Sequence, residues 1–174
     1  MDVGRARIDM VRQLERFGIR DRRVLDAMAR VPRDEFVGAA DRDAAYGDHA
    51  LAIGEGQTIS QPYVVARMTE LLATDPDHRV LEVGTGSGYQ AAVLGELVRQ
   101  LISIERHASL ADAARERLGR LGYANVRVIH ADASLGYPPE APYDRILITA
   151  ATPAIDPALL QQLTADGRIV APIG

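Results

Sequence analysis

The sequence predicts an α/β protein built on a doubly wound, mostly parallel β-sheet. From residue 79 onward, short apolar runs alternate with amphipathic segments, which is the pattern of strands joined by crossover helices. The first strand runs into Gly-Thr-Gly-Ser-Gly at residues 84–88, and Glu105 closes the second. Because the carboxyl ends of parallel strands meet at one edge of a sheet, this Rossmann-like arrangement places the glycine turn and the acid together.

The first 45 residues are predicted to form a helical extension to the sheet. One amphipathic helix ends at Gly18, and a second, which Asp21 can cap, ends before Pro32. The glycine-rich residues 46–59 that follow are predicted to form a loop.

A third helix and the alternating core complete the predicted elements. The helix begins at Pro62, which suits a first helical turn, and Ser60 is a candidate N-cap. The helix near 109–121 opens with Ser109-Leu-Ala-Asp112, which fits a capping box. Helices between the strands predict a sheet covered on both faces. The predicted strands are 79–83, 100–105, 125–130, 143–149 and 167–171, and the other helices are near 88–98 and 156–164.

Composition excludes several classes of protein. The chain has 174 residues, which suits one domain, and 47% of them are hydrophobic, enough for a substantial core. A net charge of −4 gives no sign of a nucleic-acid surface. The absence of cysteine excludes disulfides and a cysteine nucleophile, and the four histidines lack metal-ligand spacing. No apolar run approaches the ~20 residues of a membrane span, so we expect a cytoplasmic protein with no membrane partner.

The glycine turn predicts a nucleoside site. A dinucleotide fingerprint requires a glycine where this chain has Tyr89, and a P-loop requires a lysine, which the chain lacks. Gly84, Gly86 and Gly88 instead allow the backbone to lie close to a ligand. Glu105 follows Gly84 by 21 positions and can accept hydrogen bonds from both hydroxyls of a ribose. The alternative for residues 84–88 is a glycine-rich turn that binds no ligand. The alternative for Glu105 is a solvated residue at the end of a strand.

The glycine turn resembles the first motif of S-adenosylmethionine-dependent methyltransferases of class I. From about residue 8 to its end, the chain resembles one family among them, the protein-L-isoaspartate (D-aspartate) O-methyltransferases. The most distinctive phrase is Gln57-Thr-Ile-Ser-Gln-Pro62, and Arg22-Arg-Val-Leu-Asp-Ala-Met-Ala-Arg-Val-Pro-Arg33 resembles the family's leader. The segments at 143–151 and 167–174 are similar to its later strands.

The resemblance implies a reaction and a set of site residues. It implies methyl transfer from S-adenosyl-L-methionine, with S-adenosyl-L-homocysteine as product, to the free carboxylate of isoaspartyl residues in damaged proteins. It implies that Ser60 and Thr58 contact the acceptor in the catalytic site. From the residues alone, a helix cap is the favoured role of Ser60, and Asp132 could equally be a turn former; the resemblance reverses the preference for Ser60. The implied cofactor-binding residues are Gln57, Glu82, Gly84, Gly86, Gly88, Glu105, Arg106, Asp132 and Ala133.

The chain departs from the family pattern in two places. Ala131-Asp132-Ala133 stands where the family has Gly-Asp-Gly, so a shifted adenine contact is expected. The chain also stops after the fifth predicted strand, which predicts a C-terminal end that is truncated relative to the family. The fifth strand would then be an open edge, through which an otherwise monomeric protein could associate. One domain over 1–174 is expected, with a helical substrate-side region at 1–59 and a cofactor-binding core at 60–174.

Two other functions fit the same fold. The first is a methyltransferase that acts on tRNA or on a peptide natural product. The second is a cofactor-binding form with impaired catalysis, because strands of the family are missing. No metal is expected in any of these readings.

Overall fold

The computed structural model describes residues 2–132 and 134–174, and its centre is a five-stranded parallel sheet. The strand order is β5-β4-β3-β6-β7, and the sheet is parallel, as the sequence predicts. Five of the seven described strands form this sheet: β3 (Arg79–Val83), β4 (Gln100–Glu105), β5 (Val126–His130), β6 (Tyr143–Ile148) and β7 (Leu163–Val170). Within the described residues, β7 pairs only with β6 and therefore forms one edge, as the sequence predicts for the fifth strand of the core.

Residues 46–59, which were expected to form a loop, contain an antiparallel hairpin. Its strands are β1 (Leu51–Gly54) and β2 (Gln57–Ile59). The two residues between them, Glu55 and Gly56, have φ values of 52° and 66°, as a tight type I′ turn requires. The glycines of this segment therefore serve a hairpin turn rather than an irregular loop.

The helices lie mainly on one face of the sheet. They are α1 (Val3–Arg16), α2 (Arg22–Arg30), α3 (Pro62–Leu72), α4 (Tyr89–Gly95), α5 (Ala108–Arg120) and α6 (Pro157–Leu160), with short 3₁₀ helices at Arg33–Phe36, Ala39–Ala44 and Pro138–Glu140. One hydrophobic cluster joins residues of α1 to α5 with the sheet side chains Val80, Leu101 and Leu147. This shared cluster fixes the N-terminal helices against the sheet.

The opposite face carries less helix than the sequence predicts. Its core, which includes Leu81, Ile102 and Ile146, packs against α6 and the connecting segments. α6 has four residues instead of the nine expected at 156–164. The helix ends at its C-cap residue, Gln161, because the chain then turns into β7: the next carbonyl, that of Gln162, accepts from the backbone N–H of Tyr143 where β7 begins to pair with β6.

Two predicted helix caps are wrong. Gln61, not Ser60, is the N-cap residue of α3, and Asp48 takes the capping role because its Oδ1 accepts from the backbone N–H of Tyr63 at 2.8 Å. α5 begins after His107, and the Ser109 hydroxyl bonds the hairpin instead of forming a capping box. In both cases a residue distant in sequence decides the hydrogen bond. α4 is also shorter than its predicted range and ends at Gly95.

Among the described residues, no helix is long and apolar enough to cross a membrane. No group of three or more histidines and carboxylates in that part of the chain could hold a metal ion.

Candidate active site

The glycine turn is held between the ends of two neighbouring strands. The backbone N–H groups of Gly84 and Thr85 both donate to the Ile104 carbonyl, at 2.8 and 3.1 Å. On the other side, the Thr149 hydroxyl donates to the Gly84 carbonyl at 2.6 Å. Gly84 has φ of 101°, and a Cβ there would lie 2.4 Å from Thr149 Oγ1. Only glycine therefore fits this position without a shift of the backbone.

Glu105 ties the end of β4 to the same turn. The residue is 5% exposed, and its Oε2 accepts from the Gly86 N–H while Oε1 accepts from the His107 N–H, both at 2.9 Å. Each oxygen can accept a second hydrogen bond. A carboxylate oriented in this way can bind two vicinal hydroxyls, which agrees with the ribose role expected for it.

Two cavities meet at the glycine turn, and their volumes are about 300 and 480 Å³. The residues that line both are Gln57, Gly84, Glu105, Ala150 and Ala151. We name the smaller one the acceptor cavity, because it is lined by Thr58 and Ser60, the two residues that the sequence resemblance predicts at the acceptor. We name the larger one the nucleoside cavity, since Ile104, Ile148 and Leu159 give it apolar walls beside Asp132.

The β1–β2 hairpin covers the turn. A Cβ on Gly86 would lie 3.3 Å from Ile53 Cδ1, a tight contact that shows how closely the hairpin packs on the turn. At the hairpin tip, Glu55 Oε1 accepts from the Ser109 hydroxyl at 2.6 Å. The hairpin thus connects the site to the first turn of α5.

Ser60 lies at the end of the hairpin, where its backbone is fixed and its hydroxyl has no partner among the residues that the structure describes. The Ser60 carbonyl accepts from Arg33 Nη2 at 2.7 Å. The Ser60 Oγ makes no hydrogen bond to any described residue, and the same holds for the Thr58 hydroxyl. Two hydroxyls on one cavity wall, both without protein partners, suit the binding of a polar ligand atom.

Glu82 lies under the turn and not in it. Its carboxyl is fully buried and lines neither cavity. The Ser103 hydroxyl donates to Glu82 Oε2 at 2.5 Å, and Ser103 Oγ lies 2.6 Å from Thr85 Oγ1, so Glu82 supports the turn through two hydroxyls. Burial raises the pKa of Glu82 to about 8, against the hydrogen bond from Ser103, which lowers it.

The remaining predicted residues lie at the rim of the nucleoside cavity or outside it. Arg106 and Asp132 are exposed and line that cavity. The Ser134 backbone N–H donates to Asp132 Oδ1 at 3.0 Å, and this hydrogen bond lowers the Asp132 pKa. Gly88 lines neither cavity; a Cβ there would lie 3.4 Å from Ala114 and Leu118 of α5. Ala133 lies outside the described residues.

Sequence reasoning missed the residues that hold the site from behind. Thr85, Ser103 and Thr149 carry the hydrogen bonds described above, and Arg33 bonds the Ser60 backbone. Their roles depend on pairing between strands, which no local pattern encodes. Of these residues, Ser103 could have been found from the sequence, because it is a polar residue inside an otherwise apolar strand.

Solved structures have a similar fold. One, named protein-L-isoaspartate O-methyltransferase, is 31% identical with a TM-score of 0.87 over 96% of this chain, and this chain spans 55% of it. Another, from Plasmodium falciparum, contains S-adenosyl-L-homocysteine and has a TM-score of 0.84 at 24% identity, covering 97% of this chain and 84% of that one. The second likeness supports the fold alone.

Sequence relatives are more similar. A protein-L-isoaspartate O-methyltransferase of Koribacter versatilis is 56% identical over 93% of this chain and 73% of its own length. One from Methanoculleus marisnigri is 53% identical over 98% of this chain and 78% of its own length. The family model described as protein-L-isoaspartate (D-aspartate) O-methyltransferase matches residues 5–174. The chain therefore belongs to the protein-L-isoaspartate (D-aspartate) O-methyltransferase family, and the predicted fold, enzyme class and S-adenosyl-L-methionine cofactor are confirmed.

Proposed function

We propose that this chain methylates the free carboxylate of L-isoaspartyl and D-aspartyl residues in damaged proteins, and that Ser60 and Thr58 hold this carboxylate. The observation that carries the proposal is the meeting of the two cavities at Gly84 and Glu105. A ligand that joins a nucleoside to a reactive group needs two connected spaces, one for each part. The fixed Glu105 carboxylate and the close turn fit the nucleoside end of S-adenosyl-L-methionine.

Bound S-adenosyl-L-methionine supplies a methyl group on a sulfonium sulfur, a leaving group that needs no proton. The acceptor is a carboxylate with an ordinary pKa of about 3.9, so it is already ionised at neutral pH. The chain therefore needs no general base. The described residues place no histidine on the wall of the acceptor cavity. Catalysis then depends on position, through the orientation of one carboxylate oxygen toward the methyl carbon.

Ser60 and Thr58 supply that orientation. Both line the acceptor cavity, and their hydroxyls can donate to one oxygen of the carboxylate while the other oxygen stays free to react. Ser60 has a fixed backbone because Arg33 and the Asp48 cap of α3 hold the chain on either side of it. Val64, Val65 and Met68 give the same cavity an apolar wall beside these hydroxyl residues.

The nucleoside cavity would hold the rest of the cofactor. Glu105 would accept from the ribose hydroxyls, and Asp132 would face the adenine amino group. Gln57 lines both cavities, which places it at the junction of the two halves of the ligand. Glu82 would act indirectly, through Ser103 and Thr85.

We further propose that the protein acts as a monomer in the cytoplasm. The β7 edge offers a place for strand pairing between chains. Size-exclusion chromatography at several protein concentrations therefore tests whether the protein is a monomer. A dimer at micromolar concentration would contradict it. The partner class is a peptide or protein that contains an isoaspartyl residue, with no nucleic acid and no membrane.

The decisive experiment compares three acceptors with labelled S-adenosyl-L-methionine. An isoaspartyl peptide should accept the label, and its aspartyl twin and tRNA should not. Equal labelling of both peptides would contradict the repair function, and labelling of tRNA alone would support another methyltransferase. Ser60→Ala should lower kcat by ~10–100-fold, the effect of losing one or two hydrogen bonds to a charged group. Thr74→Ala, which removes a hydroxyl from a residue that lines neither cavity, is the control and should leave kcat unchanged.

Tight binding of S-adenosyl-L-homocysteine without any methyl transfer would instead identify a cofactor-binding form with impaired catalysis. Isothermal titration of the same preparation separates these outcomes.

A further inference from the structure

Arg33 is a buried cation that the local fold does not neutralise. Its side chain is 0% exposed, and within the described residues no carboxylate lies within ion-pair distance of it. Nε donates to the Ala45 carbonyl and Nη2 to the Ser60 carbonyl, each at 2.7 Å. Nη1 is buried without a hydrogen-bond partner among the described residues. The guanidinium also lies 4.6 Å from the centre of the Tyr89 ring.

Stability alone does not explain such a residue. A buried charge without a counter-ion costs free energy that two carbonyls and an aromatic face offset only in part. Asp48 is an acid whose charge favours the charged form of Arg33, but its carboxylate accepts from the Tyr63 N–H and from Gln61 Nε2. The positive charge therefore stays available to a ligand.

The location of this charge connects it to the acceptor. Arg33 bonds the carbonyl of Ser60, and the rest of Ser60 lines the acceptor cavity, as does Tyr89. The cation thus lies directly behind the cavity wall, in a region from which water is excluded. A charge in such a place acts over several ångströms with little screening.

We propose that Arg33 is the positioning residue that makes the acceptor cavity selective for an anionic group. It holds the Ser60 peptide in place, and its charge favours a carboxylate over the neutral ester that forms from it. Methylation removes the negative charge of the acceptor, so the same cation would bind substrate and release product. This inference rests on the proposed function, because it takes the acceptor to be a carboxylate at Ser60.

The test separates the charge of Arg33 from its hydrogen bonds. Calorimetry with the full chain and S-adenosyl-L-homocysteine measures the affinity for two peptides: an isoaspartyl peptide, and the same peptide with the acceptor carboxylate replaced by a carboxamide. The wild type should prefer the carboxylate. Arg33→Gln should lower that preference by ~10-fold, and Arg33→Lys should retain most of it while lowering kcat through the lost bond to Ser60.

Arg145→Met is the matched control. Arg145 is a partly buried arginine that also donates to a backbone carbonyl, that of Leu72 at 2.9 Å, but it lines neither cavity. It should change stability without changing the ratio of the two affinities. Thermal unfolding and S-adenosyl-L-homocysteine binding confirm that each variant is folded. If Arg33→Gln does not fold, the comparison of Arg33→Lys with the wild type still tests the proposal.

An equal loss of affinity for both peptides in Arg33→Gln would overturn the inference, and so would a loss of the preference in Arg33→Lys. Either result, with a wild type that methylates the isoaspartyl peptide, leaves the proposed function intact. A wild type that methylates no isoaspartyl peptide contradicts the proposed function instead.

Discussion

The Glu105 carboxylate accepts a 2.9 Å hydrogen bond from the backbone N–H of Gly86, and so ties the end of β4 to the turn that follows β3. The same carboxylate also accepts from the His107 N–H, which connects it to the start of α5. One side chain thus shapes the turn and presents acceptor atoms to the ligand. Its loss should affect both properties.

Glu105→Ala should weaken S-adenosyl-L-homocysteine binding by ~10–1000-fold, because it removes hydrogen bonds of a charged group to the turn and to the ribose. Isothermal titration measures the change. Glu105→Gln should weaken binding less, since one oxygen acceptor remains. Glu116→Ala, an exposed acid on α5, is the control and should bind like the wild type. Unchanged affinity in Glu105→Ala would place the nucleoside elsewhere.

Gly84→Ala should destabilise the fold and abolish cofactor binding. The new Cβ would lie 2.4 Å from Thr149 Oγ1 at φ of 101°, so steric overlap adds to ~1–3 kcal/mol of backbone strain. Urea denaturation measures the loss. Adding Thr149→Ala to Gly84→Ala should restore part of the lost stability. The second substitution removes the atom that overlaps the new Cβ, but the backbone strain at residue 84 remains.

Gly119→Ala provides the matched glycine control. Gly119 lies in α5, where a Cβ would meet no atom within 4 Å, and the substitution should stabilise the protein by ~0.5–1 kcal/mol. If Gly84→Ala and Gly119→Ala changed the free energy of unfolding equally, the turn at Gly84 would tolerate a side chain.

Glu82 should make stability depend on pH. Burial raises the pKa of Glu82 to about 8, above the ~4.3 of an unfolded glutamate, so the folded state holds a proton that the unfolded state loses. This contribution is fully present below about pH 4 and is lost as the pH rises toward about 8. Within that window the free energy of unfolding should fall by up to ~1.4 kcal/mol per pH unit.

Glu82→Gln removes the titrating group and should flatten this dependence. Urea denaturation from pH 5 to pH 8 measures the free energy of unfolding of the wild type and of Glu82→Gln. The wild type should lose stability relative to Glu82→Gln as the pH rises from 5 to 8. Parallel curves would show that Glu82 is ionised in the folded state across the whole range.

The hairpin tip should control how fast the cofactor leaves. Glu55→Ala removes the hydrogen bond to the Ser109 hydroxyl, and the exposed location of both side chains limits the effect to a ~2–5-fold faster release of S-adenosyl-L-homocysteine. Stopped-flow displacement measures this rate. Ser109→Ala should have a similar effect, and the double variant should release no faster than either single one. If the effects of the two substitutions on the release rate were additive, Glu55 and Ser109 would act independently and not through their hydrogen bond.

Local sequence patterns determined the elements of the core. The alternation of apolar runs and amphipathic segments predicted all five strands of the parallel sheet, with β3 and β4 at their observed bounds. The spacing of Gly84 and Glu105 predicted that they converge, and the structure places them on both cavities. These features follow from periodicity and from glycine's lack of a side chain, which are properties of adjacent residues.

Tertiary structure decided what these elements contact. Asp48 caps α3 in place of Ser60, Ser109 bonds the hairpin, and Arg33 reaches the Ser60 carbonyl from 27 positions away. A hydrogen bond between residues so far apart depends on where the chain brings them, and a polar side chain carries the same pattern in sequence whichever partner it finds. The sequence therefore determined the sheet, the turn and the family, and only the packed structure decided which groups hold the acceptor end of the site.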